Sequence, residues 1–188
     1  MKNEKYATAL IFCKTEQKII FKNKIFNFQF SIFNIKSYFC IMEEKNKDEM
    51  YMRKALDEAR QAFAEGEIPI GAVVVCKDRI IARAHNLTET LHDVTAHAEM
   101  LAITSAANEL GGKYLTDCTL YVTVEPCTMC AGALGWSQIP RIVYGCRDEK
   151  RGYTDYAPRA LHPRCTVTGG ILEEECRQLM QDFFKGRR

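Results

Sequence analysis

Four side chains in two short stretches could do chemistry together. His97 and Glu99 stand in Thr95-Ala96-His97-Ala98-Glu99, and Cys127 and Cys130 in Glu125-Pro126-Cys127-Thr128-Met129-Cys130. One imidazole and two thiols make the three-ligand set of a catalytic zinc site, which keeps its fourth tetrahedral position for water. Glu99 is then a carboxylate left over for acid and base work. A lone C-x-x-C is equally a redox pair or half of a structural metal site, and a lone H-x-E is usually a surface turn. In this order, thirty residues apart and each preceded by an apolar run, the two stretches point to a single site.

The spacing constrains what must hold these groups. If Pro126 opens a helix, the sulfurs of Cys127 and Cys130 lie on one side of its first turn, where the helix dipole favours thiolate. His97 and Glu99 are two apart, so they converge only at a helix end, and Thr95 is the expected N-cap of a helix stopped by Gly111-Gly112. The arrangement expected is two helix N-termini facing one metal, with Glu99 beside the water.

The surrounding chain alternates helices and strands. From Met50 onward, Met52, Leu56, Ala59 and Phe63 line one helical face, with Ala55 and Ala62 beside it, up to Gly66. Ile70 to Cys76 reads as a strand covered on both faces, turned by Lys77-Asp78 into Ile80 to Ala84. After the first motif helix comes the strand Thr119 to Val124. The second motif helix, Pro126 to about Ser137, is rich in Gly and Ala and depends on tertiary contacts and metal. A fourth strand begins at Arg141, a polar loop spans Cys146 to Cys165, and Cys165 to Thr168 is a short last strand. The closing helix carries an apolar stripe of Leu172, Cys176, Leu179, Met180 and Phe183. This order predicts an α/β fold, a three-layer α/β/α sandwich with a central sheet of about five strands and helices on both faces.

Residues 1–41 differ in kind. They hold seven of the ten phenylalanines and neither Gly nor Pro. Two readings stay open for them: a mis-assigned upstream extension before a start at Met42, or an added β-hairpin built on Ile19-Ile20-Phe21 and Phe26 to Phe30. The expected domain is 42–188. Lysines interrupt the apolar residues of the first forty, so neither a secretory signal nor a membrane span is expected. Nine cysteines without such a signal point to a reducing cytoplasm. The net charge of +2 hides a segment 1–41 at +5, which leaves −3 for the rest, so the chain is not a globally basic nucleic-acid binder. Locally, Arg147, Lys150, Arg151, Arg159 and Arg164 interleave with Tyr153 and Tyr156, a composition that fits either an RNA-gripping rim or an ordinary solvated loop.

The two motifs resemble those of the zinc-dependent cytidine and deoxycytidylate deaminases. The flanking residues are most similar to the bacterial tRNA adenosine deaminases of that superfamily. The matches are Glu67-Ile68-Pro69-Ile70-Gly71-Ala72, His85-Asn86, Asp93 to Met100, Tyr121 to Ala133, Val143-Tyr144-Gly145 with Asp148 and Lys150, and Gly170-Ile171-Leu172 to Cys176 with Phe183-Phe184. The chain departs from the pattern at Gly152 to Tyr156 and Leu161-His162-Pro163, in a loop expected to face substrate.

The resemblance implies a cytidine-deaminase-like fold, one zinc per chain on His97, Cys127 and Cys130, and Glu99 as the acid/base. It also implies hydrolytic deamination of wobble adenosine to inosine in a tRNA anticodon stem-loop by zinc-activated water, in a homodimer. Asn86 and Ala98 would meet the substrate, although Asn86 also fits a turn residue capping its strand. Asp148, Lys150 and Arg151 are the candidate RNA contacts. Two other readings share the motifs: a free purine (guanine) deaminase, and a zinc module without catalysis, against which the presence of Glu99 argues.

Overall fold

The computed structural model describes residues 19–21, 24–26 and 32–186, with side chains from 42 onward. The chain divides into two compact units, Met1–Glu44 and Lys45–Arg188. In the first, β1 (Ile19–Phe21) pairs antiparallel with β2 (Lys24–Phe26). The rest of the segment expected to be an extension or a hairpin lies mostly outside the described residues.

The second unit is built on a five-stranded mixed sheet in the order β4-β3-β5-β6-β7. Its strands are β3 (Gly71–Cys76), β4 (Arg79–His85), β5 (Cys118–Val124), β6 (Arg141–Cys146) and β7 (Thr166–Thr168). Lys77 and Asp78 both take positive φ, 49° and 60°, as a two-residue hairpin turn between β3 and β4 demands. β3 runs antiparallel to both β4 and β5, so β4 and β5 point the same way, and β6 and β7 are parallel to β5. The carboxyl ends of β4, β5 and β6 therefore share one edge of the sheet. Whatever follows those three strands begins there.

Alternation along β3 divides the core. Ala72 and Val74 face α2 (Ala98–Leu110) and α3 (Thr128–Trp136), where Ala98, Ala102, Ala106, Leu120, Val122, Leu134 and Ile142 are buried. Val73 and Val75 face the opposite layer, with α1 (Ile32–Ala64) contributing Tyr51, Met52, Ala55 and Leu56 and α5 (Glu173–Lys185) contributing Cys176. This is the α/β/α sandwich expected, with helices on both faces. Gly71 permits the closest approach: a Cβ there would run into the backbone of Ala55 and Ala59.

Several expectations need correction. The first long helix does not begin near Met50 but runs from Ile32, because no Gly or Pro stands between Ile32 and Ala64 to stop it. Phe63 is not core but 38% exposed, leaning edge-on against Phe183 with ring centroids 5.7 Å apart. The segment 146–165 is not all loop, since α4 (Tyr153–Tyr156) forms a single helical turn. At the start of β6 the Arg141 guanidinium grips the buried Asp48 carboxylate with two hydrogen bonds of 2.8 Å, and Tyr121 donates to the same carboxylate at 2.9 Å. Burial, followed by the Asp48 charge, drives the Tyr121 hydroxyl well above its ordinary pKa.

Candidate active site

Both motif helices start at the shared sheet edge. The chain leaves β4 at His85, loops through residues 86–97 and enters α2 at Ala98, with His97 extended as the N-cap. It leaves β5 at Val124 and enters α3 at Thr128, with Cys127 as the N-cap. Thr95 is therefore not the cap expected from sequence. Asp93 Oδ1 accepts from the Thr95 amide and hydroxyl at 2.8 and 2.7 Å, so Thr95 closes a turn ahead of the helix. Pro126 likewise stands before the helix.

The two helix starts bring the expected ligands together. His97 Nδ1 is 3.6 Å from Cys127 Sγ and 3.5 Å from Cys130 Sγ, and all three ligand atoms fall within 4.8 Å of one another. A tetrahedral zinc with bonds of about 2.0 Å to nitrogen and 2.3 Å to sulfur sets its N and S ligands about 3.5 Å apart. The donor set and its spacing fit zinc. Cys127 is pushed down to about 4 by the hydrogen bond from Cys130 and, against burial, by that from His97. Cys130 is driven far up by the same Cys127 contact and by burial. His97 is raised, first by its hydrogen bond to Cys127. A divalent cation replaces those shared protons and stabilises both thiolates.

Glu99 is the second residue of α2, in its first turn, and is 3% exposed. Burial, reinforced by the negative charge of Cys127, lifts its carboxyl to about 7. Its Oε2 is the only buried side-chain nitrogen or oxygen among the described residues without a hydrogen-bond partner. A carboxyl poised near neutrality with one oxygen free is suited to exchange protons with a reacting group. Ala98 is fully buried between His97 and Glu99.

Two buried carboxylates that sequence reasoning did not single out shape the loops around this centre. Glu67 accepts from Asn86 Nδ2 at 3.0 Å, from the Glu89 amide at 3.3 Å and from the Thr90 amide at 2.7 Å. Its pKa is lowered: burial acts to raise it, but the backbone donors Thr90 and Glu89 with the side-chain bonds prevail. Asn86 is itself buried, and its neighbour Leu87 donates to Ala96 O at 3.0 Å, which ties the Asn86 loop to the residue before His97. Glu125 does the same for the loop after β6, accepting from the Asp148 amide at 3.2 Å and the Thr154 amide at 3.0 Å. Cys127 and Gly152 form an isolated bridge, and the Tyr153 amide donates to Pro126 O at 3.0 Å. No sequence signal marks either carboxylate as buried, because their donors lie 19 to 29 positions away.

The basic rim expected from sequence is only partly present. Arg147 is paired with Asp155 at 2.7 Å, and Tyr153 is buried. Asp148 turns its Oδ1 to the amides of Lys150 and Arg151, at 2.9 and 3.1 Å, so it caps the turn that presents them. The side chains of Lys150 and Arg151 are exposed, as is Tyr156.

The family model of the cytidine and deoxycytidylate deaminase zinc-binding region matches residues 45–146. The chain belongs to this family of zinc-dependent deaminases. It is 46% identical over 147 residues to the tRNA-specific adenosine deaminase of Bacillus subtilis, covering 76% of this chain and 91% of that protein. Among solved structures, a tRNA:A34 deaminase studied for A-to-I editing at the wobble position of transfer RNA superposes with a TM-score of 0.66. The two are 43% identical, over 69% of this chain and 98% of that one. The guanine deaminase of Nitrosomonas europaea shares the fold at a TM-score of 0.61 but is 26% identical, over 72% of this chain and 83% of that one. The protein is thus a hydrolytic C–N deaminase with a zinc site.

Proposed function

We propose that this enzyme deaminates adenosine to inosine at the wobble position of a tRNA anticodon, as a cytoplasmic homodimer. The observation that carries the chemistry is the unpartnered Glu99 Oε2, buried beside the convergent His97, Cys127 and Cys130. Similarity to tRNA-specific adenosine deaminases at 46% identity over 91% of that protein, against 26% and 37% for two guanine deaminases, the latter over 61% of this chain, supports the substrate. No helix among the described residues is long and apolar enough to cross a membrane. Trp136, at the end of α3, and Val94, ahead of His97, stay almost fully exposed and offer apolar surface for a second copy.

The reaction is adenosine plus water giving inosine plus ammonia. His97, Cys127 and Cys130 would hold zinc, whose Lewis acidity would make water a nucleophile near neutral pH. Glu99 takes the proton of the attacking water while oxygen bonds to C6 and passes that proton to N1 of the purine. The C6–N6 bond then breaks, and Glu99 mediates the proton that departs with ammonia. Asn86, beside the Ala96–His97 turn, orients the nucleoside. Lys150 and Arg151 meet the phosphates of the neighbouring nucleotides, which stay outside while the target base is splayed into the site.

The test is inosine formation in an anticodon stem-loop bearing adenosine at the wobble position. Turnover should fall as salt rises, because phosphate contacts release counterions. Replacing Lys150 and Arg151 together with Ala should raise KM and flatten that salt dependence while zinc stays bound. Rapid deamination of free guanine with none of the stem-loop would replace this reading by the free-purine one. Sedimentation of a Trp136→Glu variant as a monomer, beside a dimeric parent, would support the assembly.

A further inference from the structure

Glu67 is a fully buried carboxylate with no cationic side chain within ion-pair distance among the described residues. Burying an anion without a counter-ion is costly, and here only neutral amide and hydroxyl donors compensate it. If the position served packing alone, an apolar side chain would avoid that cost. A carboxylate differs from a carboxamide in one respect that matters here: when ionised it only accepts hydrogen bonds.

Asn86 is the side chain on which this property acts. Its Nδ2 lies 3.0 Å from Glu67 Oε2 and 2.9 Å from Thr88 Oγ1. The same carboxylate accepts from the amides of Glu89 and Thr90, so the turn that follows Asn86 is anchored to the atoms that anchor its side chain. An acceptor-only partner obliges the Asn86 amide to present its NH2 to Glu67, which removes the flipped orientation. We infer that Glu67 is a positioning residue for deamination, holding the Asn86 amide in the one orientation in which it meets the base. The inference rests on Asn86 contacting substrate, as proposed above.

A double-mutant cycle on the full chain tests it, with kcat and KM measured on the wobble-adenosine stem-loop for the parent, Glu67→Gln, Asn86→Ala and the pair. Glu67→Gln keeps the shape but lets the Asn86 amide flip. It should lower kcat/KM by about tenfold to a hundredfold, with one zinc still bound per chain. In the Asn86→Ala background the same change should have almost no further effect, since its target is gone. Full multiplication of the two losses, or unchanged kcat/KM in Glu67→Gln, would overturn the inference. If Glu67→Gln does not fold, Thr88→Ala serves in its place. It removes the second acceptor on Nδ2, and its several-fold loss should likewise vanish without Asn86; an unchanged kcat/KM would count against the inference. Should the parent deaminate free guanine and leave the stem-loop untouched, the tRNA reading fails, and the same cycle run on guanine still decides the role of Glu67.

Discussion

His97 Nδ1 and Cys130 Sγ stand 3.5 Å apart although 33 positions separate them in the chain. Their meeting fixes the metal requirement. Elemental analysis should find about one zinc per chain. His97→Ala should lose both zinc and turnover. Glu99→Ala should keep the zinc and lower turnover by about a hundredfold to ten-thousandfold. A Glu99→Ala protein stripped of metal would make Glu99 a ligand and remove it from the proton-transfer role.

Acid should reveal the buried Glu67 carboxylate. Its pKa is held below the ordinary 4.5 in the folded protein, so the unfolded chain binds its proton first as pH falls. The stability it contributes is therefore complete above that value and is lost as pH drops through the lower, folded one. Thermal melts of the parent and of Glu67→Gln should differ most near neutrality and draw together in acid. A difference that stays constant from pH 7 down to the acid transition would show that the carboxylate is not held ionised.

Gly152 has no room for a methyl group. A Cβ there would sit 2.5 Å from both Asp148 O and Glu125 Oε2. Gly152→Ala should push the turn carrying Lys150 and Arg151 away from Glu125, at a cost of about 1–3 kcal/mol in stability. We expect zinc content to survive and the KM for RNA to rise. Urea denaturation together with steady-state kinetics separates the two effects.

Asp48 and Arg141 join α1 to the sheet through a bidentate pair that also takes up Tyr121. Asp48→Ala takes two charge-assisted hydrogen bonds from the Arg141 guanidinium and leaves a hole beside Tyr121, so a loss of about 3–5 kcal/mol is expected. Urea midpoints measure it. Asp48→Asn, which keeps the shape but not the charge, should lose less, and equal losses would mean that charge alone, with no share from packing, holds the contact.

The sequence by itself determined the identity and order of the reactive groups. H-x-E and P-C-x-x-C name a ligand set and a spare carboxylate whatever the fold, because metal preference follows from donor atoms. The alternation of apolar runs also placed the strands of the large sheet, the two motif helices and the closing helix to within a few residues, as the period of burial is a local property, but it missed the start of α1 and the turn of α4. Local rules failed where another side chain competed: Asp93 captured the Thr95 hydroxyl, and Asp155 tied down Arg147. Only the tertiary structure decided that the reactive groups meet. With β4, β5 and β6 all pointing one way, the residues that follow each of them emerge at one edge of the sheet, and there two helix starts converge on a single centre. Glu67 and Glu125 belong to the same category. Whether a carboxylate is solvated or buried under backbone amides depends on which loops fold over it, and that is set by strand direction and long-range pairing, which no short window of sequence contains.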